Sequence, residues 1–274
     1  MLHGFSANDG SEKIAYVPRG AIPTLNELTD PAYDSAHRFF VDGSPMTGDV
    51  DLGMSPGAND GDTSHTPNWR TLLVGTLGAG GKGYFVLDVT DPSSFSEANA
   101  ASLVKMDRTR GSAEPAPNCA AMTDPAEKNA CNLAVAEDAD IGHIAAKPVR
   151  DEANRMRATQ ITRMNNNRWA VVLGNGYNST NQRPVLLIQY LDGDKKLKLI
   201  PATTDLPGTG NAADNGLASP RLVDLNGDGR TDLVYAGDNL GNMWKFDLTS
   251  DAETDWNVTF ASKPLFTARG SASL

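Results

Sequence analysis

The sequence has 274 residues, enough for one large domain or two small ones. Its 24 Lys and Arg against 34 Asp and Glu give a formal charge of −10, which argues against a nucleic-acid partner, because neutralising phosphates needs a basic face. No apolar run approaches the roughly 20 residues that cross a bilayer, and 26 Gly with 16 Pro suit a turn-rich β fold.

In chain order, Met1–Gly10 has neither a basic nor an apolar leader region, so it does not read as a signal peptide. Met1–Phe5 and Lys13–Val17 read instead as two short strands, half of a four-stranded unit over residues 1–18. A full unit follows over 39–106: Ser44–Asp49, Trp69–Gly75, Tyr84–Asp88 and Ser102–Met106. Residues 51–68 read as a long loop, and Gly78–Gly83 reads as a hairpin turn because it lacks the Gly-Lys-Ser/Thr ending of a phosphate loop. Asp91–Glu97 has the signals of a helix start. Residues 107–143 interrupt the pattern. Within them, Thr123–Ala136 predicts a helix with a capping Thr or Asp and Pro in its first turn. Cys119 and Cys131 lie in this polar insertion, either as a local disulfide in an oxidising compartment or as two free thiols.

The unit recurs over 144–204, with Lys147–Asp151, Trp169–Gly174, Val185–Ile188 and Lys196–Ile200, and over 218–268, with Ser219–Asp224, Asp232–Gly237, Met243–Asp247 and Lys263–Thr267. Four short strands, repeated, are the pattern of propeller blades. The expectation is an all-β partial propeller of about three and a half four-stranded blades with short helical insertions. An arc that is not closed points to a fragment of a longer protein or a mis-started one, since open edges invite aggregation. The rival is a small sandwich of three irregular hairpins. Trp69, Trp169 and Trp244 are expected at matching positions between blades.

One motif carries chemistry. Asp224, Asn226, Asp228 and Asp232 stand at positions 1, 3, 5 and 9 of a nine-residue loop, with Arg230 at position 7 offering its backbone carbonyl. Calcium takes six to eight hard oxygen ligands, which such a loop supplies locally. Three carboxylates this close repel one another without a cation, and the set has no sulfur or imidazole to favour zinc. The loop is not an EF-hand: position 12 is Tyr235 and the flanks are strands. Asn59–Asp62 and Asp192–Asp194 read as plain turns, and His3, His37, His65 and His143 show no paired-ligand spacing. No catalytic constellation stands out.

Taken together, Ser219–Asp238 with Gly241–Asp247, Phe40–Pro45, Trp69–Gly83 with Leu87–Pro92, and Trp169–Ser179 resemble the PilC/PilY family of type IV pilus proteins. The resemblance spans nearly the whole chain and is weakest at 107–140. It implies a C-terminal propeller related in fold to quinoprotein dehydrogenases, on a secreted protein of the pilus base or tip. It further implies a non-catalytic, calcium-binding role in pilus extension and retraction, twitching motility and adhesion. The partners would be pilus components such as minor pilins, and a host or abiotic surface. Localisation would be the cell surface, after export through the periplasm and outer membrane. Asp224, Asn226, Asp228, Arg230 and Asp232 would be the ligands; Asn226 replaces the usual second Asp, and one charge fewer weakens affinity. No Arg-Gly-Asp occurs, so integrin binding is not implied. The alternative is a fragment of a PQQ-dependent dehydrogenase, but the adjacent cysteines typical of those enzymes are missing.

Overall fold

The computed structural model describes residues 1–53, 65–111, 114–145, 147–153 and 157–268. The expected turn at Asn59–Asp62, and most of the 51–68 loop, lie outside the described residues. Strands β1 (Leu2–Phe5) and β2 (Glu12–Tyr16) form an antiparallel hairpin. The first four-stranded sheet has the order β3 (Met46–Asp51), β4 (Trp69–Thr76), β6 (Tyr84–Asp88), β7 (Val104–Asp107). In the Gly78–Gly83 connection, β5 (Gly81–Lys82) pairs with β8 (Arg110–Gly111). Gly83 sits at φ 90° with the Arg108 carbonyl 2.0 Å from where a Cβ would be, so only glycine fits there.

The second sheet runs β9 (Ile161–Met164), β10 (Trp169–Gly174), β11 (Val185–Tyr190), β12 (Leu197–Pro201). The third runs β13 (Arg221–Val223), β15 (Leu233–Gly237), β16 (Asn242–Asp247), with an outer edge made of β17 (Asn257–Val258) and β18 (Phe266–Thr267). A two-residue segment, β14 (Arg230–Thr231), belongs to the second sheet. The whole is a mostly-β partial propeller.

Packing follows from alternation. In the second sheet Ile161, Val171, Leu173, Val185 and Leu187 join Met46, Val50, Leu72, Val74 and Val86 of the first. Their sequence neighbours Ala170, Val172, Leu186, Ile188 and Ile200 turn the other way and join Val234, Ala236, Trp244 and Phe246 of the third. A sheet covered on both faces needs apolar residues at every position, and that is why β10 and β11 are unbroken apolar runs. The third sheet instead alternates: Trp244 and Phe246 are buried, whereas Met243 is exposed and Lys245 is half-buried. Between the first two sheets the buried Tyr84 hydroxyl donates to Gln189 Oε1 at 2.6 Å, so the phenol is not left unpaired.

Several expectations are corrected. Residues 147–151 are not the first strand of the second sheet; Ile161–Met164 is. Pro148 has no donor, and Gln160 takes over the segment's backbone, accepting from Val149 N and donating to Lys147 O. Asn167 at φ 65° closes a tight turn, with Met164 and Arg168 paired across it, which sets β9 directly beside β10. The expected last strand, Lys263–Thr267, shortens to Phe266–Thr267, because Phe260, Ala261 and Ser262 all take positive φ and lift the chain off the edge. Trp69 and Trp169 both open a second strand, but Trp244 lies on a third strand. Trp69 is 55% exposed and meets Trp169 edge-on at 5.9 Å.

The insertion holds α2 (Pro125–Asp138), preceded in the chain by the single turn α1 (Ala100–Leu103). Asp124 caps α2, accepting from the amides of Ala126 and Glu127. Cys119 and Cys131 form a disulfide that ties the preceding turn to this helix. Arg108 anchors the helix end to the first sheet through Glu137 and Asp138 at 2.8 and 3.0 Å. Residues Arg19–Thr29 form 3-10 helical turns that no sequence signal announced. Among the described residues no helix is long and apolar enough to cross a membrane.

Candidate metal loop

The nine-residue segment from Asp224 to Asp232 leaves the end of β13 and enters β15. Asp224 organises its first half: Oδ1 accepts from Gly227 N at 2.7 Å and Asn226 N at 3.2 Å, and Oδ2 from Gly229 N at 2.8 Å. Gly227 and Gly229 stand at φ 80° and 83° with nothing within 4 Å of a would-be Cβ, so the backbone, not space, requires glycine there. Asn226 Oδ1 accepts from Asp228 N at 3.0 Å, and Asp228 Oδ1 accepts from Arg230 N at 2.9 Å. The Asn226 amide also donates to Asp228 Oδ2 at 3.3 Å. Asp224, Asn226 and Asp228 are exposed, whereas Asp232 is buried.

Asp232 closes the loop. Its Oδ2 accepts from Leu225 N at 2.8 Å, folding the last expected ligand back onto the first residues of the loop. Its Oδ1 accepts from the side chain of Asn165 at 3.0 Å, a residue of the turn between β9 and β10. The loop's return limb, β14, runs parallel to β9 with Arg230 beside Arg163 and Thr231 beside Met164. Thr162 and Thr231 hydroxyls meet at 3.1 Å. The loop therefore belongs to two sheets at once. Asn165, Thr162 and β9 had no signature in the sequence, because their role rests on a contact some 66 positions away in the chain; a polar Asn-Asn-Asn turn was the one available hint.

Electrostatics on this end of the sheets are mixed. Burial pulls the Arg163 guanidinium below its ordinary range, while the Asp51 and Asp228 carboxylates oppose that pull. Burial would raise Asp51, yet the amides of Asn68 and Gly53 and the His65 ring hold it below the usual carboxylate range. His65 Nε2 lies 2.9 Å from Asp51 Oδ2. Among the described residues no three His, Cys, Asp or Glu side chains gather into a ready metal centre. The carboxylates of the loop hold its own amides. Their chemistry nevertheless fits a hard cation: all donors are oxygen, and a carboxylate oxygen accepting one N–H keeps a second lone pair. The Asp192–Asp194 segment is a turn whose acids serve β10, with Asp192 accepting from Trp169 N at 2.7 Å and from Arg168 Nε at 2.9 Å.

Comparison with known proteins gives a consistent picture. The family model of the PilY1 beta-propeller domain matches residues 1–116 and 132–267. The unmatched stretch between them contains both cysteines. The chain is 33% identical over 291 residues to the type IV pilus biogenesis factor PilY1 of Pseudomonas aeruginosa, covering 99% of this chain and 20% of that protein. A PilY1 homolog of Xylella fastidiosa is 34% identical over 278 residues, covering 98% of this chain and 15% of that protein. The crystal structure of the Pseudomonas aeruginosa PilY1 C-terminal domain superposes with a TM-score of 0.63 at 30% identity, covering 98% of this chain and 44% of that one. The chain thus spans about a fifth of the length of the curated relatives it matches.

Proposed function

The chain belongs to the PilY1 beta-propeller family, and from that premise we propose that it is a non-catalytic module of a type IV pilus biogenesis factor, acting at the cell surface. The observation that carries this reading is the similarity across 99% of the chain to a protein named for type IV pilus biogenesis. Its partners on this reading are components of the pilus machinery, and export across the envelope agrees with a disulfide between Cys119 and Cys131, a bond that persists in oxidising compartments.

Within that role, Asp224, Asn226, Asp228, the Arg230 carbonyl and Asp232 form a calcium site. When bound, the ion supplies positive charge that the three carboxylates share. Asp224 holds the loop through the amides of Gly227 and Gly229, and Asp228 is free to turn from Arg230 N toward the ion at little cost. Asp232 links the site to β15 and to the neighbouring sheet. Calcium level would thereby set the rigidity of a surface used in extension and retraction of the pilus.

The dehydrogenase alternative has no observation in its favour: Cys119 and Cys131 are 12 positions apart and bonded to each other in the insertion. The test is genetic. Deleting the gene in its own organism should reduce surface pili and twitching, and returning it with Asp228→Ala should restore pili but not their calcium response. Normal piliation in the deletion strain would refute the pilus reading.

A further inference from the structure

Asn165 is buried, and its side-chain amide faces three acceptors: Thr231 O at 3.0 Å, Asp232 Oδ1 at 3.0 Å and Leu248 O at 2.8 Å. An amide nitrogen has two hydrogens, so the three acceptors share them. Two belong to the return limb of the loop, and the third follows β16, whose end is fixed by Leu248 N donating to Asp232 O at 2.8 Å. Asp232 and Leu248 flank β15 and β16 of the third sheet, and Thr231 lies in the β14 limb that leads into it, while Asn165 itself sits in the tight turn of the second. Asp232 thus has one oxygen on the loop amide of Leu225 and the other on a neighbouring blade. Its orientation is set from outside the nine-residue motif.

We propose that Asn165 is a positioning residue for the loop: it holds the Asp232 carboxylate in place from the adjacent blade, so that cation binding and the contact between the second and third sheets are coupled. This rests on the reading of the loop as a calcium site. The physical reason is that a partner behind a ligating carboxylate fixes its direction and basicity, and losing such a partner typically weakens metal affinity about 10–100-fold. Coupling follows by reciprocity: whatever Asn165 adds to ion affinity, the ion adds to the inter-sheet contact.

The test compares calcium dissociation constants of the chain, Asn165→Ala and Thr162→Val, by titration calorimetry. Thr162→Val removes a neighbouring side-chain contact to the return limb of the loop, at Thr231, without touching Asp232. Both variants should melt lower without metal. Only Asn165→Ala should weaken calcium, by about tenfold or more, with Thr162→Val within about twofold of the parent on the same scale. Equal affinities in parent and Asn165→Ala, or equal weakening in both variants, would overturn the proposal. A parent chain that binds neither calcium nor terbium would overturn both the calcium reading and this inference. Should Asn165→Ala fail to fold, the parent itself carries the test: the Asn165 side-chain amide resonances should shift as calcium saturates, and unshifted resonances would refute the coupling.

Discussion

Asp224 and Asp228 both read as ligands, yet the structure gives them different work, and that difference can be measured. Asp224 accepts three backbone amides at 2.7–3.2 Å, so Asp224→Ala removes the frame of the loop. For an exposed capping-type interaction the loss is about 1 kcal/mol in metal-free protein. Asp228 accepts one backbone amide and one weak side-chain contact, and Asp228→Ala should cost less than about 0.5 kcal/mol, as surface substitutions usually do. With calcium present each variant forgoes the same further stabilisation. Taking a dissociation constant of about 10⁻⁴ M, within the range for such loops, calcium at a hundred times that value stabilises the parent by about 2.7 kcal/mol. That corresponds to about 5–10 °C in Tm for a chain of this size. Both variants should lose this increment. The assay is thermal unfolding in chelator and in about 10 mM calcium, which is a hundredfold excess at that affinity. A parent Tm indifferent to calcium, or a full calcium shift retained by Asp228→Ala, would refute the reasoning.

Other consequences follow from the packing and the charges. Phe246→Ala should destabilise by about 3–5 kcal/mol, because it opens a cavity between the second and third sheets, whereas Lys245→Ala, one residue away on the other face, should stay within about 0.5 kcal/mol in urea unfolding. Breaking the Cys119–Cys131 bond by Cys131→Ser frees a 12-residue separation, worth about 3 kcal/mol of loop entropy at most; limited proteolysis should then cut first between 115 and 130 and leave the sheets intact. The Lys196 ammonium, opposed by burial and aided by Arg168 and the Lys196 amide, holds Asp194 down to about 2. A carboxyl depressed in the folded state adds stability above its ordinary range near pH 4 and loses it as pH falls through about 2. Melting curves from pH 5 to pH 2 should therefore flatten in Asp194→Asn, and an unchanged slope would contradict the assignment.

How much of this was legible depends on the range of the interactions involved. The hairpins centred on Trp69–Asp88, Trp169–Ile188 and Asp232–Asp247 announced themselves, because apolar periodicity and turn glycines are local. So did α2, through Asp124 and Pro125. Strand β9 did not: Ile161–Met164 is short, and a proline-containing stretch at 147–151 offered a competing match that Gln160 in fact satisfies by side chain. The positive φ run at Phe260–Ser262 was hidden as well, since none of these residues is a glycine or asparagine that would advertise it. At the candidate site the acidic ladder was visible as spacing. Its attachment to a second sheet, through β14, Thr162 and Asn165, was not, because parallel pairing across blades leaves no mark in either segment alone.

The central claim is that the acidic loop joins two blades, and hydrogen–deuterium exchange addresses it most directly. Backbone amides of the β14–β9 pairing should exchange measurably slower when calcium is added, at Arg230 and Thr231 and on the opposite side at Arg163–Asn165. Slowing confined to residues 224–229, or no slowing anywhere, would contradict it.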